Sequence, residues 1–276
     1  MERLESQETE NLFTYSVVVA DNDPAQSGKL VVESFGSSTR VKVTYCFEAT
    51  QNIALARNKA LQNAEGDFIA FIDDDEFPVD DWLCNLFKVL TTHQVSGVLG
   101  PVKPYFESEP PRWVKDGKFF ERPTYATGYN LSWSETRTGN VLFCREILDD
   151  FEVPFRPQFD TAGEDLDFFR RLMDKGHKFI WCDEGFVYEV VPADRCTRKF
   201  LLKRALLRGS NFSKHPADRL KNGAKSLIAV PCYALSLPIF ALFGQHVFLK
   251  YLIKLFDHVS RLLAYAGLRV ITERHT

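Results

Sequence analysis

Gly66-Asp67-Phe68-Ile69-Ala70-Phe71-Ile72-Asp73-Asp74-Asp75-Glu76 is the stretch whose reading decides the fold. Phe68 to Ile72 is an apolar run of strand length, opened by Gly66 and closed by four consecutive acids. Such a run reads as a strand buried on both faces of a sheet. Four carboxylates at the carboxyl end of that strand repel one another. A divalent cation with oxygen ligands is the simplest way to offset the repulsion, so the acidic end is the candidate active site.

Upstream, Tyr15 to Ala20 is β-branched and apolar and runs into the turn signal Asp21-Asn22-Asp23-Pro24, as a buried strand ending in an acidic loop would. Val41 to Cys46 alternates Val41, Val43 and Tyr45 with polar neighbours, the pattern of a half-buried or edge strand. In residues 53 to 64, Ile53, Ala60, Leu61 and Ala64 recur at helical spacing, with Gly66 as the stop and Arg57 and Asn58 in the early turns. Downstream, Pro78 precedes a helix whose apolar face is Trp82, Leu83, Leu86, Phe87 and Leu90, and Val95 to Val102 reads as a strand. Strands alternating with helices predict an α/β sheet with much parallel pairing. Ligands of such sheets bind beyond the carboxyl ends of the strands, so Asp21 and the Asp73 to Glu76 cluster are expected to face one cleft.

Lys103 to Gly139 is rich in proline, glycine and aromatic residues without a sustained period, which marks a functional or mobile segment. Asn140 to Cys144 is a short strand candidate. Thr161-Ala162-Gly163-Glu164 has capping-box spacing and precedes Leu166, Phe169, Leu172 and Met173 on one helical face, with Gly176 at the stop. Asp165 and Asp167 therefore belong to the first turn of that helix. Phe179 to Trp181 and Phe186 to Val190 read as strands, and Thr197 to Arg208 as a basic helix.

Beyond about residue 213 the composition changes. Leu227 to Phe243 is seventeen residues without a charge, interrupted by Pro231 and Pro238, with Lys221 and Lys225 before it and Lys250, Lys254, Arg261 and Arg269 after it. That length is at the lower edge of what spans a bilayer, and the expectation is a short or re-entrant membrane segment followed by a basic amphipathic helix, cationic flanks on the cytoplasmic side. A hairpin of core helices is the other reading. The domain expectation is a catalytic domain over 1–212 and a membrane-associating segment over 213–276. A formal net charge of −3 gives no global basic surface for nucleic acid. Six dispersed cysteines, without a CxxC pair or zinc spacing, read as reduced small hydrophobes. Met1 to Glu10 is polar and acidic, unlike a signal peptide.

Val17-Val18-Val19-Ala20-Asp21-Asn22, Ala56-Arg57-Asn58, the Gly66 to Glu76 stretch, Thr138-Gly139-Asn140 and Gly163-Glu164-Asp165-Leu166-Asp167-Phe168 together resemble a family 2 glycosyltransferase of the GT-A fold, similar to the bacterial succinoglycan-type exopolysaccharide glucosyltransferases. The resemblance covers about residues 13 to 210. It implies a mixed, mostly parallel sheet flanked by helices. It also implies inverting transfer of a sugar from a nucleoside-diphosphate sugar, a UDP-sugar by this match, with Mg²⁺ or Mn²⁺ as the cofactor. By the same match Asp75 and Asp73 serve the metal, Asp21, Arg57 and Asp73 the donor, and Asp165 is the base. Asp74, Glu76 and Glu164 are assigned support, Glu164 as the capping-box residue. The hydrophobic segment over 213–276 makes a lipid-linked saccharide at the cytoplasmic face of the bacterial inner membrane the expected acceptor.

One departure stands out. The family's central first strand has no counterpart before Phe13, and residues 1 to 10 look like the tail of the helix that should follow it, so the chain is expected to be truncated or its start placed too late. Two other classes fit paired acids: another sugar-nucleotide enzyme such as a nucleotidyltransferase, for which no glycine-rich phosphate loop with a catalytic lysine is found, and a non-catalytic membrane-attached scaffold.

Overall fold

A computed structural model describes residues 1–159, 163–211 and 219–268. The first compact unit comprises Met1–Pro104 and Arg122–Val190, and the second Tyr105–Glu121 and the chain from Val191 onward.

In the first unit a short helix α1 (Glu2–Glu5) precedes strand β1 (Ser16–Asp21), helix α2 (Lys29–Ser38), strand β2 (Lys42–Phe47) and helix α3 (Ile53–Asn63). Strand β1 pairs in parallel with β2, Ser16 opposite Lys42 and Asp21 opposite Phe47. The intervening α2 makes this a parallel crossover unit, and the sequence pattern had no sign of it, because its Val31-Val32 pair and Ser37-Ser38 end carry weak helix propensity. Asn52 caps α3, its side chain accepting from the amides of Ala54 and Leu55 at 2.9 and 3.2 Å.

The second sheet is built on strand β3 (Phe68–Ile72), followed by β4 (Glu76–Pro78), helix α4 (Trp82–His93), β5 (Gly97–Leu99) and β6 (Val102–Phe106). The expected strand from Val95 to Val102 is broken at Gly100, where a Cβ would meet the Gly185 carbonyl oxygen. After the long excursion come β7 (Asn140–Cys144), helix α6 (Glu164–Asp174), β8 (Phe179–Trp181) and β9 (Val187–Val191). The order is β3-β7-β5-β8, with β7 antiparallel to both β3 and β5 and β5 parallel to β8. A separate sheet orders β4-β9-β6, with β4 and β9 antiparallel. The sheet is mixed and flanked by helices, but the returning strand β7 makes it less parallel than the strand–helix alternation implies.

Side-chain alternation explains the layers. Val141 and Phe143 of β7, Leu99 of β5, and Phe179 and Trp181 of β8 face Phe168, Phe169 and Leu172 of α6. Leu142, Val98 and Ile180, one residue out of phase, face Trp82, Leu83, Leu86 and Leu90 of α4. Strand β7 is buried on both faces. Strand β3 is less so than its sequence predicts: Ile69 is buried but Ala70 is exposed. Among the described residues its outer edge has no ladder partner, nor does that of β1, and the two sheets are not hydrogen-bonded to each other.

The second unit holds helices α5 (Arg112–Gly117), α7 (Arg198–Asn211), α8 (Arg219–Ala241) and α9 (Gln245–Tyr265). Val114, Phe120, Cys196, Leu201 and Leu249 form its core. Helices α8 and α9 make a hairpin turned at Gly244, which has φ of 105°. Phe240 stacks on Tyr251 with ring centroids 3.5 Å apart, and Ser226 Oγ lies 2.9 Å from His258 Nδ1. Helix α8 runs through Pro231 and Pro238. Its residues Asn222–Ala241 are long and apolar enough to cross a membrane, with mean hydropathy 1.5, and are almost entirely unburied.

Candidate active site

Strands β3, β5 and β8 all point the same way, so Asp73, Gly100 and Cys182 leave the sheet at one edge, and the antiparallel β7 begins there with Asn140. Asn140 is fully buried and ties this edge together. Its Oδ1 accepts from Trp82 Nε1 at 2.8 Å, and its Nδ2 donates to the carbonyls of Pro101 and Gly185 at 2.9 and 2.8 Å.

The four acids form a tight turn: the Glu76 amide donates to the Asp73 carbonyl at 3.1 Å. Glu76 folds back, and its Oε2 accepts from the Asp73 amide at 3.2 Å. Asp73 and Asp74 are exposed, Asp75 is half-buried, and the Asp75 carbonyl accepts from the Val190 amide at 2.8 Å. Burial, then the charge of Asp73, pushes the Glu76 carboxyl up to about 9. Glu76 lies opposite Glu189 in the ladder, and Glu189 pairs with Arg122. Glu76, assigned only a supporting role from the sequence, is thus half-buried and folded back onto the turn; its place at the start of β4 was hidden because a three-residue strand has no readable period.

Helix α6 begins at Glu164, one residue after Gly163, so Glu164 holds the first helical position and not the third that capping-box spacing gave it; Thr161, its partner in that reading, lies outside the described residues. Glu164 is buried and receives the guanidinium of Arg57, whose Nη2 is also 3.5 Å from Asp73 Oδ1. Arg57, expected at the donor's diphosphate, therefore bridges β3 and α6. Burial raises the Glu164 carboxyl while Arg57 lowers it, and burial wins. Glu164 Oε2 is buried with no hydrogen-bond partner. Asp165 is half-buried and accepts from the Leu166 amide through Oδ1 at 2.8 Å. Asp167 is structural, held by Arg171 at 2.8 Å and Arg156 at 3.5 Å.

Arg137 was not singled out in the sequence, although it directly precedes Thr138-Gly139-Asn140. It sits within electrostatic reach of Arg122, Glu76 and Asp165, and burial lowers its guanidinium to about 10. Asp21 is placed on the β1–β2 side. Its Oδ2 accepts from Tyr45 Oη at 3.0 Å and from the Gly28 amide at 3.3 Å, and its Oδ1 from the Asp23 amide at 2.9 Å, so the carboxylate shapes the loop that follows β1.

Among the described residues no three His, Cys, Asp or Glu side chains are grouped to enclose a metal. Two carboxylates converge instead at Gly139, where a Cβ would lie 2.8 Å from Glu76 Oε1 and 3.1 Å from Asp73 Oδ2. Mg²⁺ is characteristically held by one or two carboxylates, with water and substrate phosphates completing its shell, and this hard-oxygen pair beside Asp75 fits that chemistry.

The chain is similar to several known proteins. The chain is 34% identical over 208 residues to the succinoglycan biosynthesis protein ExoM of Rhizobium meliloti, covering 74% of this chain and 65% of that protein. It is 21% identical over 174 residues to the poly(ribitol-phosphate) β-N-acetylglucosaminyltransferase TarS of Staphylococcus aureus, covering 63% of this chain and 30% of that one. It thus spans less than two thirds of the length of either relative. A crystal structure of residues 1–349 of S. aureus TarS in complex with UDP superposes with a TM-score of 0.53 at 16% identity, over 96% of this chain and 85% of that one, which shows a shared GT-A fold. The family model described as glycosyl transferase family 2 matches residues 2–151. With more than half of its length inside that match, the chain belongs to glycosyl transferase family 2.

Proposed function

We propose that this glycosyltransferase moves a sugar from a UDP-sugar, with inversion, to a lipid-linked saccharide in exopolysaccharide synthesis at the cytoplasmic face of the bacterial inner membrane. The observation that carries the reading is the meeting of Asp73, Glu76, Arg57 and the start of α6 at one sheet edge. The relatives lend direction: one acts in succinoglycan biosynthesis by its name, and TarS has been crystallised with UDP and with UDP-GlcNAc.

In this reading Asp75 and Asp73, with Glu76 beside them, hold Mg²⁺ or Mn²⁺, which when bound neutralises charge on the departing diphosphate. Asp21 fixes the loop on the nucleotide side. Asp165 takes the proton from an acceptor hydroxyl as that oxygen bonds to the sugar's anomeric carbon and the bond to the diphosphate oxygen breaks on the opposite face; the nucleoside diphosphate departs with the bonding electrons. Glu164 and Arg57 position α6 so that Asp165 reaches the cleft. The membrane location is supported by α8, whose Leu227, Ile228, Leu235 and Ile239 are 58 to 80% exposed, and by Leu242 and Phe243 in the turn after it, at 85% and 66%.

The test is a panel of nucleotide sugars with and without Mn²⁺, followed by Asp165→Asn. Transfer is expected to vanish in that variant while UDP binding persists. Undiminished transfer by Asp165→Asn would sink the assignment of the base.

A further inference from the structure

The long excursion after β6 returns to the sheet before β7, and there it builds an aromatic shelf. Its backbone is anchored on the sheet's outermost strand: the Gly128 amide donates to the Trp181 carbonyl at 2.8 Å, the Trp181 amide to Tyr129 at 2.9 Å, and the Leu131 amide to Phe179 at 2.9 Å. Tyr125 and Tyr129 stack with ring centroids 4.4 Å apart and planes 5° apart, and Trp181 meets Tyr125 edge-on at 5.3 Å. One ring face of Tyr129 is thus covered by Tyr125, yet the residue is 43% exposed. Trp133, in the adjacent turn, packs against Arg170 of α6, the helix that begins with Glu164 and Asp165.

The rim is acidic and already fixed. Ser132 and Glu135 cap each other, Thr127 Oγ1 donates to Glu184 Oε2 at 2.5 Å, and the Asp183 amide donates to Thr127 Oγ1 at 2.9 Å. The shelf stands on the same sheet edge as the acidic turn, since β8 and β3 point the same way. Three strand steps separate β8 from β3 in the order β3-β7-β5-β8, about 14 Å at the usual strand spacing, a distance a short oligosaccharide spans. Tyr125 lies within electrostatic reach of Arg137, which is also within reach of Asp165 and Glu76.

We propose that Tyr129, backed by Tyr125 and flanked by Trp133, is a subsite for the acceptor saccharide, binding a sugar unit behind the one that carries the attacking hydroxyl. A pyranose ring offers an apolar C–H face to an aromatic plane and hydroxyls at its perimeter to carboxylates, which is the chemistry of this surface. A nucleoside diphosphate is disfavoured at Tyr129, because its charge would meet the carboxylates of Glu135, Asp183 and Glu184. The inference rests on the glycosyl-transfer reading.

The experiment uses the full chain, a UDP-sugar that supports transfer, and a ladder of gluco-oligosaccharide acceptors from mono- to tetrasaccharide. Wild-type KM for acceptor is expected to fall once the acceptor is long enough to reach the shelf. Tyr129→Ala should remove that gain, raising KM for the longer acceptors about tenfold, the size of one aromatic contact, with little change for the monosaccharide. Tyr129→Phe, which keeps the ring, should retain the gain, and thermal melting verifies that both variants fold. A wild-type KM independent of length, or a Tyr129→Ala enzyme with the wild-type ladder, overturns the subsite. Absence of any donor turnover by wild type, with acceptor or as hydrolysis, is a different result, since it rejects the transferase reading beneath it.

Discussion

The guanidinium of Arg57 on α3 donates to the buried carboxylate of Glu164 on α6, 107 positions along the chain, and also approaches Asp73 at the end of β3. Removing one partner of a buried pair costs about 3 to 5 kcal/mol, because the other is left charged or must take up a proton. Arg57→Leu is therefore expected to be strongly destabilising. Adding Glu164→Gln to it should recover part of the loss. Urea unfolding of the two single variants and the double variant measures this, and additive losses would show that the pair is not coupled.

Gly139 leaves room for two carboxylates. A methyl group there would lie 2.8 Å from Glu76 Oε1, closer than carbon and oxygen tolerate, and 3.1 Å from Asp73 Oδ2, which would have to give way slightly. Gly139→Ala should displace the acids and reduce metal-dependent donor turnover by about tenfold or more, while a fold held by the neighbouring β7 survives. Circular dichroism and Mn²⁺ titration of activity check both halves. Unchanged Mn²⁺ dependence would remove the acidic pair from the metal's surroundings.

Glu76, raised from an ordinary value of 4.5 to about 9, keeps its proton in the folded protein where the unfolded chain has lost it. Between those values the folded state binds more protons, so this group makes stability fall as pH rises; its contribution is complete below the lower value and gone above the upper one. In chelator-treated protein the urea midpoint should therefore decline from mildly acidic to mildly basic pH, and less steeply in Glu76→Gln. Equal slopes for the two proteins would place the Glu76 proton elsewhere.

Leu235 and Ile239 are 80% and 58% exposed on the uncharged stretch of α8. Burying a side chain of this kind in lipid contributes about 1.5 to 3 kcal/mol. The wild-type chain is expected to co-sediment with vesicles containing anionic phosphatidylglycerol, and Leu235→Glu/Ile239→Glu to lose that binding by about tenfold or more without a change in melting temperature. Equal co-sedimentation of both proteins counts against the membrane reading.

Much of this architecture was legible because single segments carry their own period. Phe68–Ile72, Asn140–Cys144 and Phe179–Trp181 are strands with the limits their apolar runs define, and α3, α4 and α6 follow their apolar faces. What was not legible depended on partners distant in sequence. Ala70 looked buried because its run is apolar, yet burial is decided by whether a neighbour lies alongside β3. Arg57 looked free for a phosphate until α6 brought Glu164 to it. Glu76 was read as one acid of four, and only the fold of the turn and the covering strand β9 separate it from its exposed neighbours. The aromatic excursion before β7 has no period, because its order comes from the edge of β8 and not from itself.

Strand β7 fixes when this protein can acquire its core during synthesis. It is the strand that joins β3 to β5, with Phe68 registered against Cys144 and Ile72 against Asn140. A nascent chain that has emerged only as far as the aromatic excursion holds the apolar strand, the helix after it and the acidic turn, but nothing to close the sheet. Pairings so distant in sequence are slow to form. Until residue 144 leaves the ribosome, β3 and β5 have no strand to join them, and their apolar side chains lack the cover that β7 provides.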